Sequence, residues 1–224
     1  YVTTDDPHEV HNLASSPEHQ STIGQLSTLL EQQVAETRDT GLIPEPALWR
    51  LEKQYGHRSR IYDAWESSGA ATFAELHDLV RAVGRCDPHN RDRFVAWTEH
   101  ELSPFRYWAA VGLRLLEERD EVSEAALRRL LDDPAGEVRV AAAEALATVY
   151  SKPAEALPVL VEQLASDEEW VRLYAAIALD ELDETARPAI PELERALGDR
   201  ENKYVVRVAN RALNQLQNTN RSTR

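Results

Sequence analysis

Three groups of residues have types and spacings that could do chemistry. The first is Asp5, Asp6, His8, Glu9 and His11. Carboxylates and imidazoles are ordinary ligands of zinc and calcium. His8 and His11 are three apart beside Asp5-Asp6-Pro7, a turn sequence, and no second His or Cys pair follows to close a coordination sphere. The simpler reading is a tight turn whose backbone is bonded by Asp6 and Asn12, with the histidines facing solvent and no metal ligand. The second is Cys86, the one cysteine, which excludes an internal disulfide and reads as a loop thiol between two helices. No catalytic residue is assigned. The third is a column of cations, Arg106, Arg139 and Arg172, each 33 residues after the last. Guanidinium forks suit oxyanions, so the column is a candidate site for an anionic glycan such as a sulfated polysaccharide. Abundant Asp and Glu nearby are the competing partners.

The arginine column is one line of a longer repetition. Val138-Arg139-Val140-Ala141-Ala142-Ala143-Glu144-Ala145-Leu146 is echoed by Val171–Leu179 and, going backwards, by Phe105–Leu113; Val205–Leu213 repeats it with a one-residue slip. A second column at the same period, Ile61, Phe94, Leu127, Leu160 and Leu193, is apolar throughout. A period of about 20–50 residues marks a solenoid, because each unit leaves an apolar face that only its neighbour can cover. The column of five predicts a first helix in each unit and the nine-residue phrase a second. Polar turns join them at 132–136, 166–169 and 198–202. A third column, Ala64, Trp97, Leu130, Gln163 and Ala196, is broken by Gln163.

Helix, turn, helix at this period resembles HEAT-type repeats. Four units are expected at about 90–118, 122–150, 155–182 and 188–216, after a degenerate one at about 57–84. The fold class is therefore all-α, a right-handed α-solenoid of HEAT-like helix pairs occupying 47–216, with 217–224 a disordered tail. The family's turn Asp followed six residues later by Arg is met at Asp133 and Arg139. Asp167–Arg172 and Asp199–Arg207 depart from that spacing, and with them the inter-repeat ladder.

A helical wheel centred on Val138 places Ala142, Ala145, Leu146 and Val149 on one side. Tyr107, Val111, Val140, Leu173 and Ile177 then lie opposite, with Arg114, Glu144, Ala147 and Asp180. They would form an apolar strip along the second helices, a candidate partner-binding surface; stacking within the array is the competing account. The five tryptophans, Trp49, Trp65, Trp97, Trp108 and Trp170, are scattered over unlike repeat positions, which predicts packing more than sugar stacking.

The formal charge is −14, from 25 basic and 39 acidic residues, and argues against nucleic acid, whose phosphates need a basic footprint. No run approaches the apolar length of a membrane span. The chain contains no methionine and opens on Tyr1-Val2, which reads as a piece of a longer protein whose N-terminus, with any export signal, is missing.

Residues 1–46 carry a different pattern. Tyr1–Thr4 reads as the end of a strand. A turn follows, then a helix from Ser16-Pro17-Glu18 to about Arg38 with Ile23, Leu26, Leu29, Leu30 and Val34 at helical spacing, then an extended linker at 42–46. Asp6-Pro7-His8-Glu9-Val10-His11-Asn12-Leu13, followed by this helix, resembles the C-terminal tail of bacterial sulfatases of the alkaline-phosphatase superfamily, in which a last strand, a D-P-x-E-x-x-N-L turn and a final helix close the enzyme. The resemblance implies a parent sulfuric ester hydrolase, exported or periplasmic, using calcium and a formylglycine that would lie upstream of this tail. Cys86-Asp87-Pro88 lacks the Ser/Ala and Arg that complete the formylglycine signature. The chain is thus expected to be a non-catalytic HEAT-repeat interaction or scaffold region, without a cofactor of its own, whose partner is the parent's N-terminal catalytic domain or another protein. The alternatives are a free-standing HEAT-repeat binding module, or a solenoid shaping the hydrolase's substrate entrance.

Overall fold

The computed structural model describes residues 1–220. Among them are twelve α-helices and no β-strand, an all-α solenoid. Two compact units divide the chain, one from Tyr1 to Asp39 and the other from Thr40 onward.

In the first unit the expected strand end is a turn: Val2 O accepts from the amides of Asp5 and Asp6. A 3-10 turn at Pro17–His19 leads into α1 (Gln20–Thr37), which Arg38 closes in the left-handed conformation. No residue of α1 is buried, and Leu26, Leu29 and Leu30 are more than half exposed.

The second unit opens with a 3-10 turn at Thr40–Leu42 and α2 (Glu45–Tyr55), stopped by Gly56 at φ 82°. Residues 42–46 are therefore not an extended linker. Ile43, Ala47 and Leu48 are buried, which draws this stretch into the helical unit and moves its start from 47 to Thr40.

The helix pairs follow the repeat. They are α3 (Ile61–Ser68) with α4 (Phe73–Arg85), α5 (Arg91–Trp97) with α6 (Ser103–Leu115), α7 (Glu121–Leu130) with α8 (Gly136–Thr148), α9 (Pro153–Leu164) with α10 (Glu169–Glu181), and α11 (Ile190–Ala196) with α12 (Lys203–Gln217). The apolar column is the spine of the stack: Ile61, Phe94, Leu127, Leu160 and Leu193 are each 0 % exposed. Full burial of one such side chain contributes about 1.5–3 kcal/mol before entropy is counted. Side chains end or start the helices between them. Thr72 and Glu75 form a reciprocal capping box on α4, Asp120 accepts from the amides of Val122 and Ser123, and Asn202 accepts from Tyr204 N.

The stack tightens toward α8. Val138, Ala142, Ala145 and Leu146 are 0 % exposed, as the wheel predicts, but Val140, Ala141 and Ala143 on the other sides are buried too. A helix covered all round cannot show a one-sided pattern, and alanine fits either side. Two glycines record how close the neighbours come. A Cβ on Gly112 would stand 2.8 Å from the Phe94 ring, and one on Gly136 would stand 2.7 Å from a Val171 methyl. At the C-terminus α12 reaches Gln217, Asn218 adopts the left-handed conformation and Thr219 N bonds Asn214 O. Of the expected disordered tail, 221–224 lie outside the described residues.

Candidate docking face on the second helices

The arginine column is spent on the fold. Arg106 donates from Nε and Nη2 to Asp133 at 2.6 and 2.9 Å, and from Nη1 to the carbonyls of His100 and Glu101. Arg172 repeats this with Asp199 at 2.7 Å, Glu201 at 2.7 Å and the carbonyl of Ser166. The partner Asp stands 27 residues after each Arg, in the turn of the next unit. The ladder thus runs forward between units, not within one, and survives at Asp199 where the six-residue spacing fails. The same offset from Arg139 falls on Ser166. Arg139 turns instead to Gln163 Oε1 at 2.9 Å and Glu162 at 3.3 Å, and its Nε is buried without a hydrogen-bond partner. Gln163 breaks the apolar column because it answers this arginine. Arg106 and Arg172 have no fork free for a glycan.

The apolar strip is only partly a surface. Val140 and Val111 are buried at 3 % and 8 %, and Leu173 packs half-buried on the core. Ile177 alone of the five is exposed, at 37 %. Asp180, expected on the same side, is buried and ion-paired to Arg211. Much of the remaining cover comes from the chain itself. The 40–55 segment lies across the N-terminal ends of the second helices, a placement that repeat counting could not see. Trp108 Nε1 donates to Leu42 O at 2.7 Å, and Glu45 N donates to the hydroxyl of Tyr174 at 3.2 Å. Arg50 bridges Glu168, at 2.6 Å, and Glu137, whose side chain is fully buried and also accepts from Ser103. Trp49 and Trp170 stand 6.3 Å apart between ring centroids.

Beyond this strap a small cavity of about 170 Å³ remains. Tyr107, Val111 and Arg114 from α6, Val140, Ala141 and Glu144 from α8, and Tyr174, Ile177 and Glu181 from α10 line it. Tyr174 takes the place expected of Leu173, one residue on. Arg114 Nη1 lies 2.5 Å from Glu144 Oε1 and 3.8 Å from Glu181, while Arg114 Nε is buried without a hydrogen-bond partner. Burial raises the Glu144 carboxyl to about 7; Arg114 opposes the shift and the adjacent Glu181 adds to it. Burial likewise holds the Tyr107 and Tyr174 hydroxyls above their usual range. The cavity therefore joins an aromatic and aliphatic wall to a carboxyl pair faced by one guanidinium.

The N-terminal residues do the work of a turn. Asp6 accepts from His11 N at 2.8 Å and Val10 N at 3.2 Å, and the backbone bond from His11 holds its carboxyl below the ordinary range. Asn12 accepts from Ala14 N. Among the described residues no three His, Cys, Asp or Glu side chains are grouped to hold a metal ion. Cys86 is exposed and caps α4 in the left-handed conformation. Among the same residues no helix is long and apolar enough to cross a membrane.

No curated protein matches the chain. A family model described as HEAT repeats matches residues 123–214, from within α7 to within α12. Its span takes in the Arg172–Asp199 rung, the interrupted rung at Arg139 and two of the three helices that line the cavity. This part of the chain is similar to HEAT repeats.

Proposed function

We propose that this chain is a non-catalytic docking region whose second-helix face binds protein, and that its partner is the catalytic part of a sulfatase lying upstream of Tyr1. The observation that carries the docking role is the 40–55 segment. The face already holds a stretch of polypeptide through a buried ion pair, backbone hydrogen bonds and indole contacts, and beyond it leaves Ile177 and the cavity open. The sulfatase assignment rests on Asp6, Pro7, Glu9, Asn12 and Leu13, and on α1, whose leucines have no burial of their own. They would close against the upstream enzyme. Among the described residues no three His, Cys, Asp or Glu side chains are grouped to hold a metal ion, and Cys86-Asp87-Pro88 does not complete the formylglycine signature; on this reading calcium and formylglycine belong to the upstream part.

Two measurements test it. The sequence preceding Tyr1 should contain C/S-x-P-S/A-R with clustered Asp, Asn and His; a further helical repeat there would end the sulfatase reading. The upstream part, expressed separately, should bind this chain, and Ile177→Arg should weaken that binding at least tenfold. An unchanged affinity would remove the second-helix face from the interaction. The chain alone should hydrolyse no sulfate ester.

A further inference from the structure

Where the strap at 40–55 meets the turn into α10 it leaves a depression of about 610 Å³. Pockets that hold small ligands run from about 300 to 1,000 Å³. Two indoles line it. Trp49 is the one tryptophan among the described residues that is exposed, at 39 %, and its ring is held by Nε1, which donates to Glu45 Oε1 at 2.9 Å. Trp170 stands beside it with the ring planes 31° apart, so the pair forms a shallow platform. Trp65 is buried and Trp97 stacks on Phe105, which is the packing role expected of the tryptophans; Trp49 departs from it. The charges around the platform fall into two sets. Arg50 is engaged with Glu137 and Glu168, and Glu201 with Arg172. Lys53, Asp167 and Glu169 make no side-chain hydrogen bond or ion pair among the described residues. One ammonium and two carboxylates thus line the depression with their hydrogen-bonding capacity unspent.

We propose that this depression binds a neutral glycan, one pyranose ring stacked on Trp49, with its hydroxyls donating to Asp167 and Glu169 and accepting from Lys53. An indole face is electron-rich and the C–H groups of a sugar ring are slightly positive, so the two attract face to face. Hydroxyls around the ring both donate and accept, which matches free carboxylates beside a free ammonium, and hydrogen bonds to charged groups are the stronger kind. Charged ligands fit less well. A guanidinium or ammonium on the platform would meet Arg50 and Lys53, and a sulfate ester would meet Asp167, Glu168, Glu169 and Glu201. A neutral sugar meets neither repulsion. The site goes beyond the docking role. None of the residues lining it lines the cavity beside Ile177, so either reading can fail alone.

The test titrates the isotope-labelled full chain with cellotetraose, maltotetraose and xylotetraose, and with a heparin tetrasaccharide and tetra-arginine as charged counterparts. At least one neutral tetrasaccharide should shift the indole N–H resonances of Trp49 and Trp170 and bind at least tenfold tighter than either charged probe. Trp49→Ala should weaken that binding at least tenfold while the backbone spectrum outside the strap stays in place. Asp167→Ala with Glu169→Ala, which leaves both indoles, should weaken it at least fivefold. No binding of the three neutral probes would overturn the proposal. So would neutral binding no tighter than that of the heparin tetrasaccharide or tetra-arginine, or an affinity that either set of substitutions leaves unchanged.

Discussion

Glu144 is the residue whose charge the fold alters most clearly. Unfolded, its carboxyl would titrate near its ordinary value of 4.5; folded, burial and the neighbouring Glu181 raise it to about 7 against the pull of Arg114. Between those values the native state binds more protons than the unfolded one, so stability falls as pH rises through this window and levels above it. The melting temperature should therefore drop between pH 5 and pH 7, and Glu144→Gln should flatten the profile. A drop of the same size in the variant would show that another group is responsible. Ser166 supplies a second prediction at this scale. It stands where Asp133 and Asp199 stand in the neighbouring units, and its Oγ already accepts from Glu168 N as they accept from Ala135 N and Glu201 N. Ser166→Asp would keep that bond and give Arg139 Nε a partner. Urea unfolding should show a gain of about 1 kcal/mol, the upper end for a partly exposed ion pair.

Among the elements, α2 buries Ala47 and Leu48 and also brings Arg50 to a buried carboxylate. Glu137 is 0 % exposed, and among the described residues its charge is met by Arg50 alone, with Ser103 adding a neutral donor. Removing one member of a buried pair leaves the other charge uncompensated, which costs about 3–5 kcal/mol. Arg50→Ala should show a loss of that order in urea unfolding. Arg50→Ala with Glu137→Gln should recover much of it, because no bare charge is then buried. If the single variant loses less than about 1 kcal/mol, the strap is held by its indole and backbone contacts instead.

At the scale of the whole molecule, stability in a repeat array is close to a sum over units and the joints between neighbours. The last pair, α11 and α12, shares one apolar cluster with α10: Ala175, Leu179 and Leu182 pack with Leu193, Val205 and Ala209. Ending the chain after Leu182 would bare that face. The shortened protein should melt at a lower temperature and show a smaller urea m value, in proportion to the surface no longer buried. An unchanged melting temperature would mean that the last pair folds independently of α10.

The sequence by itself determined the repeat. Five apolar positions at a constant spacing can be covered only by stacking like units, and Ile61, Phe94, Leu127, Leu160 and Leu193 are indeed each 0 % exposed. Helix pairs, their turns and the burial of Ala142 and Leu146 follow from the same local periodicity. Only the tertiary structure decided which surface is left over. A wheel treats a helix as having one partner, but α8 has neighbours on every side, so Val140 is core and only Ile177 of the five strip residues is exposed. The ladder was hidden for a related reason: its rungs join Arg106 to Asp133 and Arg172 to Asp199 across 27 residues, a distance set by how one unit sits on the next. The strap at 40–55 has no repeat partner at all. Its docking depends on Leu42, Glu45 and Arg50 meeting Trp108, Tyr174 and Glu137, groups that nothing in a one-dimensional reading brings together.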